Sequence, residues 1–359
     1  MTQALDRPTI TLDEILSQPQ CWQECLSSLD GQEVIRKICA RVPPDGEWLF
    51  IGCGTSYYIA LAAAACFAEV TGMPARAVPA SEVLFFPNSV LSKRHTSIPV
   101  LISRSGRTTE VVKAGQYLER ERGIRTIAIT CYAEEPLARG SSFPIVLSAA
   151  AEKSTVMTRS FSSMVIGLQY LAASVANHSG LLGELRELPT RSAAMFQAIP
   201  QLVRDFVRAH DLNNYSFVGQ GAFFGIANEA MLKVMESSCS YAQVFHSLEF
   251  RHGPKSIVNQ QSLFGMFLSD IAYDAEVDLL EEMKALGATT MAVTAKISPR
   301  IKAASDLLIE IPAGQIEYSR LAACIPAAQL VGVYTGLKKG LDPDSPRNLS
   351  QVVILNDAH

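Results

Sequence analysis

The chain has 359 residues, 48% hydrophobic and 18% charged, with a formal net charge of −4. That length suits two domains that each bury a core, and the slight acidity argues against an extended nucleic-acid surface. Residues 1–8 hold no basic start followed by an apolar core, so no secretory leader is expected. The most apolar helix-like stretch, 59–70, is too short for a membrane span and contains Glu69. Eight cysteines from Cys21 to Cys324 form no Cys-x-x-Cys pair, which fits reduced thiols in a cytoplasmic protein. Cys21 and Cys25 stand one helical turn apart without a partner at metal-site spacing, so no metal is expected.

In chain order, residues 1–45, with Trp22, read as a helical extension that ends at Pro43-Pro44-Asp45-Gly46. The apolar run Trp48–Ile51 then enters Gly52-Cys53-Gly54-Thr55-Ser56 and an alanine-rich helix. A dinucleotide fingerprint needs a third glycine at residue 57, which is Tyr57, so the turn reads as ligand-facing without specifying a nicotinamide cofactor. Val100-Leu101-Ile102 reads as a buried strand that stops at Ser103-Arg104-Ser105-Gly106, and 108–118 has helical character. Hydroxyls and unpaired N–H groups at a strand-to-helix turn make an anion cradle, and Arg104 and Arg107 add positive charge. A serine-rich turn with an ordinary cap is the plainer alternative.

Farther on, Tyr215–Gly219 followed by Gln220-Gly221 has the same shape as 48–54, and a helical run over 226–239 follows it. Glu229, Lys233 and Glu236 fall at i, i+4 and i+7 on that run, hence on one face. The helix is otherwise apolar, so its charged face must pair or line a cleft, and a carboxylate desolvated there suits a general base. In Leu248–Lys255, the Gly253-Pro254 pair holds His252 at a turn beside Arg251 and Lys255, a setting for acid–base work. His95, His178, His210, His246 and His359 have no comparable setting.

An internal repeat organises these elements. Gly52 and Gly219 lie 167 residues apart, as do Glu82 and Glu249, and Ser103 and Asp270. The strands at 126–130 and 144–147 answer those at 290–294 and 307–311. Each half reads β-α-β-α-β-α-β, which implies an α/β fold: a parallel sheet with helices on both faces, an α/β/α sandwich of flavodoxin-like type. Ligands bind such sheets at the carboxyl ends of the strands. Where the first half has Ser103, the second has Ser269-Asp270, so one phosphate cradle per chain is expected. The expected organisation is an extension over 1–45, domains over 46–195 and 196–345 joined near 186–200, and a tail over 346–359.

The ordered set Gly52–Tyr57, Ala80-Ser81-Glu82, Ser103–Thr108, Glu229–Glu236 and Glu249–Pro254 resembles the sugar isomerase (SIS) superfamily, specifically its double-SIS members. These are similar to the isomerase half of glucosamine-6-phosphate synthase and to amino-sugar-phosphate isomerase/deaminases and fructosamine-phosphate deglycases. The resemblance implies two tandem SIS domains. It implies a phosphosugar held by Ser103, Arg104, Ser105 and Thr108, with Gly54, Thr55, Ser56, Thr158 and Glu229 completing the binding set. Glu236 would move the proton between C1 and C2 and His252 would assist ring opening, with Lys233 grouped beside them as catalytic; in such homodimers, with shared active sites, the partner can contribute the histidine. No cofactor, nucleic acid or membrane is implied.

Two departures from the family stand out. Residue 2 is Thr2, with about 45 residues ahead of the first half, so glutamine is not expected as the amide donor. The tail Pro346–Leu349 continues as Ser350-Gln351 where the synthase has a lysine, which puts an imine mechanism in doubt; Met157 likewise stands where it has a serine. The expected activity is aldose–ketose isomerisation of an amino-sugar or fructosamine 6-phosphate, with or without loss of ammonia or amine. The alternative is a non-catalytic sugar-phosphate sensor that regulates a partner protein.

Overall fold

A computed structural model describes residues 5–355; residues 1–4 and 356–359, which include Thr2 and His359, lie outside the description. The first sheet contains β1 (Gly46–Gly52), β2 (Ala75–Pro79), β3 (Thr96–Ile102), β4 (Ile127–Thr130) and β5 (Phe143–Val146), in the order β2-β1-β3-β4-β5. The second contains β6 (Asn214–Gly219), β7 (Tyr241–His246), β8 (Ser262–Phe267), β9 (Thr289–Thr294) and β10 (Leu307–Glu310), ordered β7-β6-β8-β9-β10. Every described pairing is parallel, and the two sheets share one connectivity. The tandem α/β expectation is borne out, with one strand more per half than the sequence reading counted. The extra strands, β2 and β7, are sheet edges that carry Arg76 and Gln243 and are mostly half-buried. Their apolar pattern is weak because each has a single buried position and a polar residue in the middle of its run.

The 167-residue offset survives as geometry. Gly54 ends its turn at φ +54°, ψ −128° and Gly221 at φ +52°, ψ −128°, a region in which an L side chain is strained. The helices that follow, Thr55–Thr71 and Ala222–Ser238, are offset by the same 167 residues at both ends. Packing fixes these turns: in the first half Trp48, Phe50 and Phe67 are fully buried, with the Trp48 and Phe67 rings 4.7 Å apart. On the other face Leu49, Ile51, Leu101, Val111 and Ala128 share one core cluster.

The described residues form two compact units. One comprises residues 20–152, 159–186 and 350–355, and the other 5–19, 153–158 and 187–349. The chain passes from one unit to the other at 186/187, inside the helix Ser179–Ala209. The helix Ile10–Leu16 belongs with the second sheet, because Asp344 accepts from the Thr11 N–H and hydroxyl while Glu14 accepts from the Lys153 and Ser154 N–H groups. Among the described residues, one helical stretch, Glu317–Lys338, is long and apolar enough to cross a membrane, and 94% of its apolar window is buried inside the protein.

Candidate functional site

In the first unit β1 and β3 pair as neighbours, with Ile51 opposite Leu101, so the Gly52–Ser56 turn and the Ser103 loop emerge side by side at the carboxyl end of the sheet. The loop is buried: Ser103 is 1% exposed and Ser105 9%. The Ser103 hydroxyl lies 3.1 Å from that of Thr108 and 3.5 Å from that of Ser105, and it accepts from the Gly106 N–H. The Ser105 hydroxyl accepts from the Arg107 N–H. Three hydroxyls therefore converge at a strand end, immediately ahead of the helix Thr109–Gln116. A bound anion would be met by O–H donors and the positive end of that helix. Thr55 and Ser56, at the first turn of their own helix, are also buried.

Arg104 is held in an ion pair. Its guanidinium donates to Glu152 Oε1 at 3.1 Å and to the Gln351 carbonyl at 2.8 Å, and both side chains of the ion pair are buried. Ser160 also donates to Glu152, through its hydroxyl. Glu152 escaped the sequence reading because a lone glutamate after a short strand carries no spacing signal. The tail residue Gln351 donates to the Glu152 carbonyl at 3.2 Å, and the Leu355 N–H to the Thr109 hydroxyl at 2.9 Å, so residues 351–355 lie against the cradle. Arg107 is half exposed, 3.8 Å from Glu135.

In the second unit the positions that correspond to the cradle are filled by the protein's own carboxylates. Glu276, fully buried, accepts from the Ser269 N–H and the Ser269 and Ser247 hydroxyls. Burial raises its pKa, against the lowering effect of those donors. Asp270 pairs with the buried Arg320 at 2.5 Å. The donors at this strand end are thus satisfied by carboxylates of the chain itself.

The helix Ala222–Ser238 carries the charged face expected of it. Lys233, 1% exposed, stands 3.2 Å from Glu229 Oε1 and 2.5 Å from Glu236 Oε2. Burial opposes its charge, but the two carboxylates outweigh that and hold the Lys233 pKa above its ordinary value. Glu229 is sealed in, whereas the Glu236 side chain keeps 18% of its surface. Glu236 is thus an ion-paired carboxylate at the edge of the buried face, not an isolated one. Thr158 is buried and accepts through its carbonyl from Gln329 Nε2 at 3.1 Å.

His252 is exposed at a turn between the short helices Leu248–Arg251 and Pro254–Ile257, with Gly253 at φ +122°. Its basic neighbours are committed: Arg251 and Lys255 donate to Glu282 at 2.8 and 2.9 Å. They pin the loop rather than enrich the imidazole's surroundings. Arg251 first and Lys255 next hold Glu282 below its ordinary pKa. Among the described residues no group of three or more His, Cys, Asp or Glu is placed to hold a metal ion.

Parallel sheets in the order 2-1-3-4-5, with a hydroxyl-lined turn at a strand end, place the chain in the doubly wound, flavodoxin-like α/β class, and comparison with known proteins specifies the family. The model of the SIS domain matches residues 46–174. The crystal structure of glucosamine-6-phosphate deaminase from Thermotoga maritima is 30% identical, covers 97% of this chain and 100% of its own, and superposes with a TM-score of 0.80. The chain belongs to the SIS domain family. Tagatose-6-phosphate ketose/aldose isomerase from Escherichia coli shares the fold, with a TM-score of 0.82 at 23% identity over 98% of this chain and 97% of its own. The glutamine–fructose-6-phosphate aminotransferase (isomerizing) of Sulfolobus acidocaldarius is 27% identical across 96% of this chain and 56% of its own length. The chain spans little more than half the length of the curated relatives it matches.

Proposed function

We propose that the protein is a cofactor-independent aldose–ketose isomerase of a six-carbon amino-sugar or fructosamine 6-phosphate. The observation that carries the reading is the Glu229–Lys233–Glu236 cluster: a buried ammonium steers one partly exposed carboxylate, Glu236, toward the surface of an otherwise buried helix face. Such a carboxylate can take the C2 proton of an open-chain aldose as the C1 carbonyl becomes an enediol or enolamine hydroxyl, and return the proton to C1. The ketose, or its C2 imine, results, and water then releases ammonia from the imine. The exchange is redox-neutral, so no hydride carrier takes part.

The phosphate belongs on Ser103, Ser105 and Thr108, with Thr55 and Ser56 toward the sugar, and Arg104 acts through Glu152 to hold the loop. Gly54, Thr158 and Glu229 shape the binding set. His252 assists ring opening, and its exposure suits a cytosolic homodimer in which the partner subunit's His252 is exchanged. The amino-sugar preference is supported by the full-length likeness to the Thermotoga deaminase.

The test is proton exchange in deuterated water with glucosamine 6-phosphate, galactosamine 6-phosphate and fructosamine 6-phosphates. Deuterium should enter C1 or C2 of at least one, and Glu236→Gln should slow it by about 100-fold or more. Binding without exchange in the wild type would instead identify a sugar-phosphate sensor.

A further inference from the structure

The first unit has a cavity, about 570 Å3 in volume, at the amino ends of β3, β4 and β5. This is the end of the sheet opposite the Ser103 loop, on a strand of seven residues that spans roughly 20 Å. Positive charge converges on it from three separate segments: Arg41 from the turn after the helix Glu33–Cys39, Lys93 from the loop ahead of β3, which also brings the His95 imidazole, and Arg122 and Arg125 from the loop ahead of β4. No Asp or Glu is among the described lining residues. Asp45 is close, but its carboxylate accepts from the Thr96 hydroxyl at 3.0 Å. Arg41 donates to the Lys37 carbonyl and Arg122 to the Tyr117 hydroxyl, both neutral acceptors.

The floor is apolar. Ile38 and Ile127 are each 3% exposed, and Phe143 sits at the start of β5. The guanidinium carbons of Arg41 and Arg125 each lie 5.8 Å from the Phe143 ring centroid. Cations gathered without counter-charge repel one another, and an anion relieves that repulsion. A bare phosphate would leave the apolar floor wet, and an uncharged ring would leave the cations unpaired. A flat heterocycle against Phe143 and the two arginines, with phosphates on Lys93, His95 and Arg122, satisfies both parts. The volume is within the range of small-molecule sites.

We propose that this cavity is an effector site for a nucleoside di- or triphosphate, separate from the sugar site. The proposal does not depend on the isomerase reading. ATP, GTP and UTP are titrated calorimetrically into the full chain at fixed salt, with inorganic pyrophosphate and adenosine as the separated halves. At least one nucleotide should bind once per chain, and about tenfold or more tighter than either half. Lys93→Gln with Arg125→Gln, both exposed positions, should weaken it by about tenfold or more, and Arg41→Gln alone should weaken it in the same direction. Ser103→Ala with Ser105→Ala should leave it unchanged. The proposal is overturned if no nucleotide binds below about 1 mM, if pyrophosphate binds as tightly, if the charge variants bind like the wild type, or if the serine variant loses the nucleotide instead.

Discussion

A single buried lysine organises the charged face of the helix Ala222–Ser238. Lys233 is held between Glu229 and Glu236, and removing it leaves two carboxylates without counter-charge, one of them fully buried. Lys233→Met should therefore cost about 3–5 kcal/mol of stability by chemical denaturation, because an uncompensated buried charge is far more costly than a missing pair. The cradle serines do two jobs: they accept from the Gly106 and Arg107 N–H groups, and in our reading they donate to phosphate. Ser103→Ala with Ser105→Ala should weaken phosphorylated sugars by about 10- to 100-fold, as expected for hydrogen bonds to a charged group. Binding of the same sugars without phosphate should not change, which calorimetry can check.

At the scale of elements, two helices hold that charged face in position. Pro326–Lys338 packs on Ala222–Ser238 through Gly332 and Gly336; a Cβ on Gly332 would fall 2.7 Å from the Lys233 carbonyl oxygen, and one on Gly336 closer still to that of Ser237. Gly336→Ala should cost about 1–3 kcal/mol by overpacking, read as a lowered denaturation midpoint. The His252 loop responds to pH through Glu282. That carboxyl binds its proton less readily in the folded chain, so the stabilisation is complete above its ordinary value of 4.5 and disappears as pH falls through the lowered one. The protection of the residue 248–258 amides, taken relative to their intrinsic exchange rate at each pH, should fall in acid for the wild type, and Glu282→Gln should abolish that fall.

For the whole molecule, duplication has produced two sheets of identical order with unequal ends. The first gathers three hydroxyls that in our reading face a ligand, while the second closes its strand end with Glu276, Asp270 and Arg320. One sugar phosphate per chain should therefore bind in calorimetry, and Glu276→Gln should not alter that stoichiometry.

The sequence by itself determined the repeat, the α/β class, the two Gly-x-Gly turns and the hydroxyl cluster of Ser103, Ser105 and Thr108. These are local or periodic: apolar runs specify strands, a positive φ demands glycine, and i, i+4, i+7 spacing places Glu229, Lys233 and Glu236 together. Strands β2 and β7 were not legible, because Arg76 and Gln243 interrupt their apolar residues and each strand has a single buried position. Only the tertiary structure decided what distant side chains do: Arg104 turned onto Glu152, 48 residues away, Glu282 fixing both sides of His252, Gln351 on the cradle, and five basic residues from three segments around Phe143. Such pairings carry no spacing signal, since the fold rather than the local chain sets which groups meet.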